Sequence, residues 1–234
     1  MDIASIIQDK NHSTGVAGIM VNEKTGDNAI NIIPGAAGTL TNDDIEKNLN
    51  FIANTDIFLT QLETPYDVTK YALKKAKENK LTTILNPAPA CQINDDDFKL
   101  IDFFTPNETE AEFYLNKKIE TEKDIKIASE EFLKKGIKNI VITLGEKGCY
   151  FANKKENFFV EAFKLKDPVL DTTGAGDAFN GALAVGLSKD LDIKEVLTFA
   201  NKVAAISTTK QGAAASMPSM AVSYTHLRAH ETSI

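Results

Sequence analysis

Cysteine, histidine and basic charge are the scarce features of this chain, and no apolar run approaches the length of a membrane span. Each scarcity removes a class of protein. The two cysteines, Cys91 and Cys149, stand far apart and offer neither a disulfide framework nor metal-ligand spacing, so they read as reduced thiols. Of three histidines, His12 is alone in a loop, while His226 and His230 sit four apart near the C-terminus without partner ligands. The opening residues, MDIASIIQDKN, lack the basic start and apolar centre of a signal peptide. Acids outnumber bases, 33 to 26, and the net charge of −7 argues against nucleic acid or an anionic membrane as partner. There is no internal repeat, no G-x-G-x-x-G fingerprint and no P-loop Gly-Lys-Ser/Thr. What remains is a soluble, cytoplasmic protein of 234 residues, enough for one α/β domain with a sizeable core.

The chain opens with a short predicted strand, Met1 to Ile7. Val16 to Val21 and Ala29 to Ile33 are apolar runs joined by a turn-rich link, Asn22 to Asp27, which predicts a β-hairpin. Thr41 or Asn42 caps a short helix. Strands are then predicted at Asp56 to Leu62, Leu81 to Leu85, Phe103–Phe104 and Ile140 to Leu144. Helices are predicted at Pro65 to Asn79, from Asn107 to Leu115, and at Glu122 to Lys135. The acid run Asp95-Asp96-Asp97 reads as a solvated loop. Strand and helix alternate, so the expected fold is α/β, a doubly wound, mostly parallel sheet with ligands at the carboxyl ends of its strands.

One stretch carries chemistry. Asp171 to Gly181 reads DTTGAGDAFNG, between an extended segment (Phe158 to Leu170) and a helix whose apolar face includes Ala178, Phe179, Ala182 and Leu183. Glycines flank Ala175 where the helix must begin, so unhindered N–H groups sit at the positive end of a helix dipole, an arrangement that binds phosphate or a developing oxyanion. Asp177 in the first turn can take a proton from a hydroxyl held beside that anion. The plainer alternative is a packing turn with a dipole-favoured acid.

DTTGAGDAFNG resembles the C-terminal signature of the ribokinase-like (PfkB) carbohydrate kinase family. QLE, LNPAPA, TPNETEAE and ITLGEKG precede it in the family's order, and the resemblance spans roughly Ser13 to Pro218, pointing to the ribokinase branch. It implies ATP-dependent phosphorylation of D-ribose to ribose 5-phosphate. Asp177 would be the general base, and the amides of Gly174, Ala175 and Gly176 the anion hole. Glu63 of QLE would bind ribose hydroxyls, with a solvent-facing strand-end acid as its alternative. Asn107 and Glu110 match an N-x-x-E motif that orients ATP phosphates and holds Mg²⁺ through water; the same pair also suits a capping box. Thr143, Leu144, Gly145, Glu146, Lys147 and Gly148 resemble an ATP-binding loop, or form a glycine-rich turn. Asn201 matches a position on the adenine side. Asp171, Thr173, Ser207, Lys210, Gly212 and Ser216 match the ligands of an activating monovalent cation, usually K⁺, or a loop-to-loop hydrogen-bond network.

The resemblance implies three segments: a partial β lid at 13–35 that pairs with a second subunit's lid in the family, a kinase domain at 1–12 and 36–218, and a non-family tail at 219–234. The family's N-terminal βαβ region, with its sugar-binding N-x-D and G-G-K-G-x-N segments, is not found. The expectation is therefore a truncated chain with an unpaired sheet edge, low stability and little activity. A sister kinase for deoxyribose or another furanose, and a non-catalytic nucleotide-binding remnant, are the alternatives.

Overall fold

A computed structural model describes residues 3–21 and 28–219. The first described residues differ from expectation. Residues 3–12 form turns and bends rather than a strand, and Ile3, Ile6 and Ile7 are exposed; among the described residues no strand pairs with them. Their polar followers satisfy backbone groups locally: the Asn11 and His12 N–H groups donate to Asp9 Oδ1 at 2.7 and 3.2 Å. The hairpin is present as β1 (Thr14–Val21) and β2 (Asn28–Gly35), antiparallel, with Val16 opposite Ile33; its link, residues 22–27, lies outside the described residues. Val16, Met20, Ile32 and Ile33 are exposed, so these side chains add little to the core.

The body of the protein is a six-stranded sheet, β3 (Ile57–Thr60), β4 (Thr82–Leu85), β5 (Phe103–Phe104), β6 (Asn139–Thr143), β7 (Cys149–Asn153) and β8 (Asn157–Val160), in that order across the sheet. The first four are parallel, and β7 and β8 are antiparallel additions. Only the first part of the extended segment after Phe158 therefore pairs, and β7 had no counterpart among the expected strands. Among the described residues β3 pairs with β4 alone, which leaves it an edge strand.

Helices cover both faces. Short helices α1 (Asn42–Lys47) and α2 (Leu49–Ile52) precede β3; α3 (Tyr66–Glu78), α4 (Glu108–Leu115) and α5 (Glu122–Lys134) lie between the parallel strands; α6 (Ala175–Leu187) and α7 (Ile193–Ser207) follow the sheet. The period-2 alternation of strand side chains divides the core in two. Leu85, Phe104, Ile140 and Ile142 pack with Ala111, Ala128 and Phe132 of α4 and α5. Their neighbours Ile84, Phe103 and Val141 face Phe179 and Leu183 of α6 and Val196, Leu197 and Ala200 of α7.

Among the described residues two carboxylates, Asp97 and Asp102, are buried in this frame, as is Lys202 of α7. Asp97 is not solvated: it sits in a 3-10 turn and accepts hydrogen bonds from Tyr66 Oη at 2.6 Å and Lys70 Nζ at 3.0 Å. Asp102, just before β5, lies at the N-terminal end of the sheet. It accepts from Lys77 and Lys138, both at 2.7 Å, and from the Thr83 N–H at 3.0 Å. Beside it a surface depression of about 500 Å³ is lined by Lys77, Lys80 and Lys138.

Candidate active site

The opposite, carboxyl end of the sheet gathers the polar motifs. Gly174 caps α6 in the left-handed region (φ 79°), and a side chain there would press on Ala213 Cα at 3.3 Å and Met217 Cε at 3.1 Å. The Ala175 N–H closes a turn onto the Thr172 carbonyl at 3.2 Å, so that amide is occupied. The next amides, of Gly176 and Asp177, lie in the first turn, where a helix offers no internal acceptor. A side chain built on Gly176 would meet nothing within 4 Å, so this end of the helix opens onto free space.

Asp177 is exposed in the same turn. Its Oδ1 accepts a hydrogen bond from Gln61 Nε2 at 2.8 Å, which ties it to the end of β3. Gln61 Nε2 also approaches Asn86 Oδ1 (3.3 Å), and Asn86 Nδ2 donates to the Thr105 carbonyl (3.1 Å). The Thr105 hydroxyl donates to Asn180 Oδ1 at 2.7 Å, and Asn180 Nδ2 returns to the Gly176 carbonyl at 2.9 Å. Asn86, Thr105 and Asn180 are buried, and none of the four was among the expected site residues. The signal available for them was a short polar residue at the end of each successive strand (Gln61, Asn86, Thr105) and an Asn inside an otherwise apolar helix.

The other expected residues fall in three places. Glu63, exposed, is two residues beyond Gln61 on the same strand end. Asn107 and Glu110 form a reciprocal capping box on α4 (2.8 and 2.9 Å), and Asn107 bridges to Thr143, which brings that motif beside the 143–148 stretch. Burial pushes the Glu110 carboxyl above its usual range, with the Asn107 N–H pulling the other way. Gly145–Lys147 form the exposed tip of the β6–β7 hairpin, closed by the Leu144 N–H on the Gly148 carbonyl at 2.8 Å. Asn201 is buried in α7, and its NH₂ group donates to the carbonyls of Val160 and Glu161, both at 3.2 Å. That group is committed to the end of β8 and the residue after it.

The third place is the loop beneath the helix start. Asp171 accepts from the N–H of Thr173 through Oδ1 and of Gly212 through Oδ2, both at 2.9 Å. The Thr173 hydroxyl first, then the Gly212 and Thr173 amides, hold its carboxyl below the usual range. Ser207 and Ser216 are buried, with hydroxyls donating to Ala204 and Ala213 carbonyls at 2.7 Å, whereas Lys210 is exposed. Of the cation-ligand set, Asp171, Thr173 and Gly212 thus form the loop-to-loop network, while the Ser207 and Ser216 hydroxyls bond within their own turns. Residues 220–234, including His226 and His230, lie outside the described residues.

Comparison with known proteins agrees with this fold. The family model described as "pfkB family carbohydrate kinase" matches residues 1–220, a longer stretch than the motifs alone trace. The chain is 39% identical over 219 residues to the ribokinase of Staphylococcus aureus, covering 93% of this chain and 71% of that one. It is 34% identical over 209 residues to the deoxyribokinase of Salmonella typhi, covering 89% and 67%. Among solved structures, that of Arabidopsis thaliana ribokinase complexed with ribose and ATP superposes with a TM-score of 0.83 at 29% identity, over 93% of this chain and 70% of that one. On the family match over residues 1–220, the identity to these relatives and the shared fold, the chain belongs to the pfkB family of carbohydrate kinases.

Proposed function

We propose that the protein transfers the γ-phosphoryl group of ATP to the terminal hydroxyl of D-ribose, giving ribose 5-phosphate and ADP. The observation that carries this reading is Asp177 itself: exposed, one oxygen held by Gln61, and set in the same turn as amides that face open space. The free oxygen takes the proton of the sugar hydroxyl. The hydroxyl oxygen forms its bond to the γ-phosphorus as the bond to the β-phosphate oxygen breaks, and ADP carries the electron pair away. The first-turn amides and the helix dipole stabilise the charge on the moving group. Glu63 accepts from the remaining sugar hydroxyls, and the 143–148 tip with Asn107 and Asn201 holds the nucleotide.

Two ions fit the residues present. Among the described residues no three His, Cys, Asp or Glu side chains converge on a metal, so Mg²⁺ would be carried by ATP phosphates and water, with Glu110 as a carboxylate partner. When bound it neutralises phosphate charge. The oxygen-rich set of Asp171, Thr173, Ser207, Gly212, Ser216 and the Lys210 carbonyl suits a monovalent cation such as K⁺. There Asp171 already clasps the Thr173 and Gly212 amides below the helix start.

A deoxyribose substrate is the second reading, favoured by the similarity to the deoxyribokinase. Sugar-dependent ADP release separates the two by kcat/KM for each pentose. Asp177→Asn should lower kcat about 10²–10⁴-fold while ATP still binds; unchanged turnover would remove the base assignment.

A further inference from the structure

We propose that Gln61, Asn86, Thr105 and Asn180 form one polar spine that positions both halves of the transfer site, the Asp177 carboxylate and the peptide that presents its N–H. The inference rests on the reading of Asp177 as base. The side chains come from the carboxyl ends of β3, β4 and β5 and from α6, and three of the four are buried.

The direction of every bond in the spine is dictated from its ends. A carbonyl can only accept, so the Thr105 carbonyl fixes Asn86 with its NH₂ inward and its oxygen toward Gln61. That oxygen can only accept as well, so Gln61 must turn its NH₂ group toward it, and the second proton of that group meets Asp177 Oδ1. At the other end the Gly176 carbonyl fixes Asn180 with its NH₂ outward, so Asn180 Oδ1 takes the Thr105 hydroxyl proton. Thr105 therefore joins the two arms, through its carbonyl on one side and its hydroxyl on the other.

The consequence is geometric. Gln61 occupies one oxygen of Asp177 and leaves the other for the acceptor hydroxyl, while Asn180 pins the Gly176 carbonyl. That carbonyl shares its peptide plane with the Asp177 N–H, so pinning it aims the amide. Base and anion donor are thereby oriented by a single network rooted in three strands, and no member besides Asp177 need touch substrate. These four are positioning residues, and turnover depends on them through orientation.

The test uses the whole chain, with ribose-dependent ADP release as the kinetic reading and side-chain amide exchange by NMR as the structural one. Thr105→Val keeps the shape and removes the hydroxyl. It should lower kcat about 10- to 100-fold with KM for ribose within about twofold, and Thr105→Ser should restore kcat to within about threefold. Gln61→Leu should lower kcat in the same way while leaving the Asn180 NH₂ protons protected. In Thr105→Val those protons should exchange faster, whereas the Asn201 NH₂ protons, held by β8, stay protected as the internal control. An unchanged kcat in Thr105→Val overturns the inference. If the unaltered protein releases no ADP with any pentose, the proposed function fails separately. The spine is then decided by exchange alone: unaltered Asn180 protection in Thr105→Val overturns it, and selective loss supports it.

Discussion

Two aspartates at opposite ends of one sheet are treated in opposite ways. Asp102, at the N-terminal end, is buried and spends its charge on Lys77, Lys138 and the Thr83 backbone. Asp177, at the carboxyl end, is exposed and among the described residues is held by one neutral side-chain donor, Gln61. A carboxylate closed by two ammonium groups holds the fold together and has nothing left for a ligand. One held on a neutral amide is oriented without being neutralised, and stays available to a hydroxyl. The lysine-lined depression beside Asp102 belongs to the first kind of construction, because two of its lysines already face that carboxylate.

Exchanging the two roles gives the largest expected effect. Asp177→Asn should lower sugar-dependent turnover by about 10²–10⁴-fold with Tm nearly unchanged. Asp102→Ala should do the reverse, leaving kcat alone while costing about 2–3 kcal/mol, a value reduced for the exposed Lys138. Urea unfolding and steady-state kinetics on both variants would break the comparison if each affected both readings.

The same contrast predicts a pH dependence. Burial pushes the Asp102 carboxyl up, but Lys138, Lys77 and the Thr83 N–H outweigh it and hold the group below its usual range. A depressed value in the folded state means the stabilisation is present above the ordinary aspartate pKa of about 4 and is lost as pH falls through the lower folded value. Tm measured from about pH 6 down to about pH 2 should fall less steeply for Asp102→Asn than for the unaltered protein.

Backbone geometry sharpens the comparison within one hairpin. Gly148 has φ 99°, and a side chain there would collide with the Val160 carbonyl, so Gly148→Ala should cost about 2–3 kcal/mol. Gly145, with φ 55° and open surroundings, should tolerate alanine for about 1 kcal/mol. Equal losses in chemical denaturation would show that the collision at Gly148 is relieved by movement of β8.

The smallest effect separates a cap from a ligand. Thr121 and Asn107 each close a capping box, on α5 and α4. Replacing either by alanine should cost about 1 kcal/mol of stability. Only Asn107→Ala should also raise the KM for ATP, because Asn107 lies against the 143–148 tip. A similar KM change in Thr121→Ala would show that the motif acts through stability alone.

Much of this arrangement was legible in order of residues. Alternating apolar runs located β3 to β6, and Thr41, Asn107 and the glycines before Asp177 marked helix starts through local chemistry. What escaped had three causes. α7 carries Val196, Leu197, Ala200 and Val203 at helical spacing behind an Asp192 cap, a readable signal passed over when Asn201 alone was singled out. The antiparallel β7 is apolar along its length, because both of its faces are buried, so it shows no alternation. Asp97 was misplaced because three consecutive acids share one composition but not one environment.

The order of residues alone determined the local events: where most strands and helices begin, which turn needs a glycine, and that an aspartate stands in the first turn of a helix begun by glycines. It could not determine which side chains would meet at the carboxyl end of the sheet. Gln61 and Asp177 are separated by 116 positions, and Thr105 and Asn180 by 75. Their hydrogen bonds exist because parallel strands place successive ends side by side and α6 packs across them, and only the assembled sheet supplies that geometry.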